Sequence, residues 1–242
     1  MLTRNLFILL LVAAGLVANA PLAGAAYSVF FDPGTLHETD GISGFGTTGD
    51  MMAGMEVTAY FSEDKSELAI WEALTPPEGE AAGSNILDWN LNVFGDTYGA
   101  SWKLYNNTRY NLLGIHIDAI PGQTMFDRTT TTTGGKLTNG TPGSAFGRTF
   151  EPTGDTDEGL NIVATYYDVI ALDGFDPVGD LYKRLEIRFT NTDGLAPGDY
   201  LHFVADTDNI EHGGEIPEPS TALLLAAGLI GGGILYRRKH RK

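Results

Sequence analysis

Two short acidic stretches are the first places in this sequence where chemistry could happen. "ADTDN" brings Asp206, Asp208 and Asn209 together, and "GDTDEG" does the same for Asp155, Asp157 and Glu158. Closely spaced hard oxygens on a loop suit Ca²⁺, which takes about 6–8 oxygen ligands. Neither stretch fits an EF-hand loop, because the third ligand position and the distal Glu are absent. Asp and Asn are also ordinary turn formers. No cofactor is expected; calcium is the one ion for which the sequence offers a place, with Asp206 and Asp208 the better pair.

Other reactive types are thinly spread. His37, His116 and His202 are scattered, and His212 precedes a glycine pair. His116 and Asp118 share one face of an alternating run, as a transition-metal ligand pair could; a solvent-facing polar pair is the expected outcome. A serine hydrolase needs the nucleophile elbow G-x-S-x-G. In "GTPGSAFG" Ser144 follows Gly143 directly, so the spacing is wrong. Glycosidases use two carboxylates across a cleft, but with 31 acidic residues some pair is always available and spacing selects none. No catalytic residue is assigned, and the protein is expected not to be an enzyme. The aromatic-dense stretch "DWNLNVFGDTYGASWKLYN", with Trp89, Tyr98, Trp102 and Tyr105, joins Trp71 in offering rings for sugar stacking. Such rings serve equally well as core.

Composition narrows the classes further. The chain has 242 residues and a formal charge of −16, and the charge is segregated. Of the 15 basic residues, Arg4 lies near the start, while Arg237, Arg238, Lys239, Arg241 and Lys242 close the chain. The acidic residues all lie between Asp32 and Glu218, so the body repels phosphate backbones and a nucleic-acid partner is excluded. There is no cysteine, which rules out disulfides, thiolate metal sites and cysteine nucleophiles.

The body must be built from strands. "GMEVTAYFS" places Met55, Val57, Ala59 and Phe61 on one face, and "RLEIRFT" does the same with Leu185, Ile187 and Phe189. "LLGIHIDAI" reads as Leu113, Ile115 and Ile117 inward, with His116 and Asp118 outward. "YSVFF", "ELAIWEA", "NILDWNLNVF", "SWKLYN", "LNIVATYYDVIAL" and "DYLHFVAD" are further candidates, separated by turn stretches such as "PPEGE" and "APGD". Roughly nine short strands with no long amphipathic helix between them predict an all-β, antiparallel β-sandwich, jelly-roll-like, with a barrel as the alternative. "DRTTTTTGGKLTNGTPGS" reads as an exposed low-complexity loop. Asn106-Asn107-Thr108 matches a glycosylation sequon.

The two ends carry addresses. Arg4 precedes an apolar run from Leu6 to Val17, and Ala23-Gly24-Ala25 satisfies the small-x-small rule for cleavage before Ala26. Residues 1–25 are thus read as a secretory signal peptide, 26–210 as the sandwich and 211–216 as a linker. Residues 221–236 are uncharged and about 16 long, a helix of roughly 24 Å that spans a membrane with snorkelling from the basic tail 237–242. That tail stays cytoplasmic by the positive-inside rule, which leaves the acidic body outside. Pro217 and Pro219 each lack an N–H and bias the preceding residue toward extended conformations, so the segment above the helix is stiff.

Pro217-Glu218-Pro219, the apolar stretch after it and the basic end together resemble the PEP-CTERM sorting signal of Gram-negative bacteria. The resemblance covers about the last tenth of the chain, residues 217–242. It implies recognition by exosortase, an integral-membrane, cysteine transpeptidase-like enzyme that cuts near the motif and releases or transfers the protein outward. The family is associated with bacteria that make exopolysaccharide, biofilm or floc. "MAGMEVTAYF", "GTPGSAFGRTF" and "FVADTDNI" are also similar to phrases in the bodies of other PEP-CTERM proteins. The implied partners are the signal peptidase and secretion machinery, the cytoplasmic membrane before processing, exosortase, and exopolysaccharide. The expected role is structural or adhesive, at the cell surface or in the extracellular matrix. A carbohydrate-binding module is the alternative, and a secreted hydrolase ranks behind it.

Overall fold

The computed structural model describes residues 25–84, 86–129, 146–153, 159–190 and 193–211. The expected signal segment up to residue 24, most of the threonine-rich loop, Asp155, Asp157 and Glu158, and the whole sorting tail lie outside the described residues.

Sixteen strands are described, in chain order. They are β1 (Ala26–Phe31), β2 (His37–Thr39), β3 (Ile42–Gly44), β4 (Glu56–Phe61), β5 (Lys65–Ile70), β6 (Glu72–Ala73), β7 (Glu78–Ala82) and β8 (Trp89–Phe94). They continue with β9 (Trp102–Asn106), β10 (Leu112–Asp118), β11 (Thr124–Asp127), β12 (Glu151–Pro152), β13 (Asn161–Leu172), β14 (Leu181–Phe189), β15 (Tyr200–Val204) and β16 (Asp206–Ile210). Two short 3-10 turns, Gly49–Met52 and Ile120–Gly122, are the helical segments among the described residues. The all-β expectation holds. The strand number exceeds nine because the two- and three-residue strands β2, β3, β6 and β12 leave too few side chains to show alternation. In addition, β7 begins at Glu78 inside "PPEGE", expected as a turn, while β11 and β16 carry no apolar alternation.

The strands form two sheets. The larger has the order β3-β16-β11-β14-β10-β4-β5, and β13 extends it on the far edge of β14. The smaller runs β12-β15-β9-β8-β7-β6. Neighbours are antiparallel except β1 and β2, which both run parallel to β13. β14 pairs with β10 and β11 in succession: Ile117 stands opposite Leu185, and Phe126 opposite Tyr182. The turn at residues 120–122 therefore hands one edge of β14 from β10 to β11.

Where alternation is strict, the sequence reading is accurate. Val57, Ala59 and Phe61 point inward from β4, as do Leu185, Ile187 and Phe189 from β14. In β10 the inward residue is Leu112, and Leu113 is exposed, a correction to the simple alternation. The register slips between Leu112 and Gly114, so Leu113 is the extra residue of a bulge. Gly114 is needed there, because a Cβ would lie 2.5 Å from the Ile187 carbonyl oxygen.

The faces of the two sheets meet in one aromatic core. Trp102 of β9 stacks on Phe203 of β15 at 5.8 Å and reaches Phe126 of the other sheet at 6.3 Å. Each indole N–H has an acceptor: Trp102 donates to the Ala205 carbonyl at 2.8 Å and Trp71 to the Gly49 carbonyl at 2.7 Å. Trp89 donates to Glu67 Oε2 at 3.0 Å. These contacts remove the tryptophans from the surface and satisfy the polar atom each carries inward. A smaller apolar cluster, with Met125, Ile170, Leu172, Leu181 and Ile210, lies apart from this core.

Candidate metal centre

The acidic pair singled out in "ADTDN" lies on a strand rather than a loop. β16 runs through it, and its alternation separates the three residues. Asp206 and Asp208 share one face. Thr207 and Asn209 share the other, where Thr207 Oγ1 and Asn209 Nδ2 approach the sulfurs of Met52 and Met51. Asn209 is therefore not part of the group.

Its place is taken by Asp127, the last residue of β11. Antiparallel pairing sets Asp127 directly opposite Asp206, and Met125 opposite Asp208. Opposed residues project to the same face, so three carboxylates converge. One oxygen from each of Asp127, Asp206 and Asp208 lies within 4.8 Å of the others. All three residues are only 2% exposed. Asp180, 1% exposed, sits just before β14 and its charge is felt by both Asp127 and Asp208.

Part of this set is satisfied by the protein. Asp206 Oδ1 accepts from Thr97 Oγ1 at 3.0 Å and from the Thr207 N–H at 2.9 Å. Other oxygens have nothing: Asp127 Oδ1, Asp208 Oδ2 and Asp180 Oδ2 are buried without a hydrogen-bond partner. The nearest arginines are turned elsewhere. Arg148 donates to the Tyr98 carbonyl and reaches toward Glu151 at 3.8 Å. Arg128 donates to the Gly179 carbonyl and lies over the Phe31 ring at 3.7 Å. Among the described residues no ion pair reaches Asp127, Asp206 or Asp208.

Gly147 covers the group closely. A Cβ there would lie 2.4 Å from Asp127 Oδ1, so only glycine lets the backbone approach the carboxylate. The 146–148 stretch is pinned on both strands: Arg148 N–H donates to the Asp127 carbonyl, and Asp206 N–H donates to the Arg148 carbonyl.

Burial is the first cause of the resulting electrostatics. It pushes Asp206 up to about 7 and Asp180 up to about 6. Asp127 and Asp208 are both raised by burial first and by neighbouring carboxylate charge second. Without a cation, burial and mutual repulsion favour a proton held within the Asp127–Asp208 pair. With a cation, the same oxygens form an all-oxygen donor set, the chemistry that hard divalent ions prefer.

The remaining candidates fare differently. Asp118 is ion-paired, to Arg184 at 3.1 Å and Lys183 at 3.6 Å. His116 stands opposite Glu186 and Thr58, so His116 and Asp118 belong to a polar outer face. Trp71, Trp89 and Trp102 are at most 1% exposed and offer no stacking surface, which corrects the expectation that they could. Asn106 of the sequon is buried and donates to the Tyr110 and Leu195 carbonyls, both at 2.8 Å. Of the expected cleavage residues, Ala23 is outside the described set, Ala25 packs on the core, and Ala26 opens β1. Pro217, Glu218, Pro219 and the basic tail from Arg237 to Lys242 are outside it as well. No helix among the described residues is long and apolar enough to cross a membrane.

Comparison with known families settles the tail. The chain carries a PEP-CTERM protein-sorting motif. The model of that description matches residues 215–241, a span that takes in Pro217-Glu218-Pro219. No curated protein and no solved structure matches the chain. The PEP-CTERM motif marks an exported, exosortase-targeted protein that passes through a membrane-anchored intermediate before processing.

Asp127 could not be found by reading the sequence. It lies in "TMFD", a four-residue strand buried throughout, in which no alternation shows. Reading "DRTTTTTGGKLTNGTPGS" as an exposed loop puts Asp127 at its start; the structure corrects this, because pairing with β14 and β16 carries the strand through Asp127 and buries it.

Proposed function

We propose that the protein is a surface or extracellular-matrix component with a structural or adhesive role linked to exopolysaccharide or biofilm. The observation that carries this reading is the PEP-CTERM motif at residues 215–241, attached to a sandwich whose three tryptophans are spent on its own core. In this reading exosortase recognises Pro217, Glu218 and Pro219. Arg237, Arg238, Lys239, Arg241 and Lys242 hold the cytoplasmic end until cleavage. Signal peptidase cuts between Ala25 and Ala26, after Ala23-Gly24-Ala25. Supporting that cut, β1 begins at Ala26, whose N–H donates to the Leu160 carbonyl at 2.9 Å. The role is non-catalytic.

Intact mass spectrometry of the mature protein from its host, with and without exosortase, tests this. The expected mass lacks the signal and everything beyond the PEP region, with Glu218→Ala retaining the tail. A wild-type mass that keeps the apolar stretch and "RRKHRK" overturns it.

One observation favours carbohydrate binding as a second reading. A cavity of about 280 Å³ is lined by Phe45, Tyr98 and Phe146 together with Asp96 and Asp206. Tyr98 and Phe146 are about half exposed and Asp96 is exposed beside them, so rings and one carboxylate are both presented to a sugar. Retention on a column of the host polysaccharide, lost in Tyr98→Ala, would support it; equal elution of both proteins would remove it.

A further inference from the structure

We infer that Asp127, Asp206 and Asp208 bind a calcium ion that ties the last described strand of the sandwich, β16, to β11. This goes beyond the sorting and surface role, and it does not depend on exosortase processing.

Three carboxylates converge on one point from two paired strands. The cluster is buried, and two of its oxygens, Asp127 Oδ1 and Asp208 Oδ2, have no hydrogen-bond partner. A buried acceptor left bare is costly, and a buried carboxylate with no counter-charge is more so. Among the described residues the local arginines make their contacts elsewhere, and none forms an ion pair with Asp127, Asp206 or Asp208. A proton shared between Asp127 and Asp208 would serve only those two residues and leave Asp206 outside the exchange. A cation meets all the requirements together.

Donor type selects the ion. Every ligand is a carboxylate oxygen, and the chain has no cysteine. Histidine is absent from the group. Soft or borderline metals gain least from such a set, while Ca²⁺ gains most and tolerates irregular geometry. Asp180 lies close enough to add negative charge beyond the three ligands. Calcium sites of extracellular modules work at about 10⁻⁴–10⁻³ M, a range suited to an exported protein.

The position gives the site a mechanical role. β16 carries two ligands and is held on one side by β11 and on the other by the three-residue β3. It ends at Ile210, shortly before the sorting motif begins at residue 215. An ion bridging Asp127 to Asp206 and Asp208 would clamp this C-terminal strand to the sheet as the fold is completed outside the membrane.

The test uses the full chain in mild detergent, stripped with EGTA and then titrated with CaCl₂, with MgCl₂ in parallel. Saturating Ca²⁺ should raise Tm by about 5 °C and slow hydrogen exchange in β11 and β16. Calorimetric titration should show one site. Asp127→Asn should lose the calcium response while raising the Tm of the metal-free protein, because it removes repulsion. Asp206→Asn, which keeps an acceptor for Thr97 and Thr207, provides the same test should Asp127→Asn fold poorly. A purely structural cluster would give lower Tm in both variants and no response to calcium. That result, or an equal response of wild type and variants, or a response to Mg²⁺ alone, overturns the proposal.

Discussion

Two carboxylate groups lie in the same sheet, one on β10 and β13 beside β14 and the other on β11 and β16, and the chain treats them in opposite ways. Asp118 on β10 and Asp168 on β13 flank Arg184, which reaches Asp118 at 3.1 Å and Asp168 at 2.9 Å, with Lys183 adding a third contact. These side chains keep between about one-seventh and one-third of their surface in water. Asp127, Asp206 and Asp208 are nearly sealed from solvent and receive no cation from the described chain. Where the chain intends a closed, self-sufficient polar network, it places the cations on the adjacent strand. Where it leaves a gap among buried oxygens, the gap is shaped for something that arrives later. The difference lies in the origin of the counter-charge rather than in the number of acids.

The comparison can be broken most directly at the unpaired group. In 10 mM Ca²⁺, the double variant Asp127→Asn/Asp208→Asn should lose about 1.5–2.5 kcal/mol relative to calcium-loaded wild type, measured by urea unfolding. In EGTA the order should reverse. Variant and wild type falling on the same side of each other in both buffers would end the distinction.

At the paired group the expected sign is simple. Arg184→Ala strips the nearest cation from both Asp118 and Asp168. The pairs are partly solvated, so the cost should be only about 1–2 kcal/mol, and calcium should not restore it. Restoration by calcium would mean that the two groups are not different in kind.

Proton linkage sharpens the contrast further. Folding raises the carboxyl values of Asp127, Asp180, Asp206 and Asp208. The metal-free fold therefore holds an advantage that is complete below the unfolded value near ~4. It loses that advantage as pH rises through about 6 for Asp180 and about 7 for Asp206. Between pH 5 and 8 the metal-free protein should weaken by on the order of 1 kcal/mol or more, and calcium should cancel the loss. Unfolding midpoints in EGTA that rise over this window would contradict the assignment. His116 has the opposite sign. Burial, and then the Arg184 charge, hold it below its ordinary range. Its share of stability is thus present above about 6.5 and lost as pH falls.

The smallest effect belongs to Lys183. Its contact with Asp118 is 3.6 Å, longer than that of Arg184. Lys183→Ala should cost about 0.5 kcal/mol or less, and a larger loss would mean that lysine rather than arginine anchors the paired group.

The strands most legible in the sequence were those half-buried over five or more residues. In β4 and β14 the period of two survives because one face is core and the other is wet. β10 was misread at Leu113 because a bulge inserts a residue without any change in composition. β11 was missed because four consecutive buried residues leave no pattern, and with it went Asp127. The tryptophans were legible as large apolar residues but not as core or surface, since an indole serves both.

What the sequence determined by itself is everything whose reader is another machine. The sorting motif at residues 215–241 is linear text, so the order of residues along the chain is enough to identify it. The acidic pair on β16 was half of a site. Its other half depends on which strand lies alongside and in what register, because one residue of slip would turn Asp127 to the opposite face. That register is set by the pairing of β11 with both β14 and β16, among residues far apart in sequence. Only the folded sheet decides it.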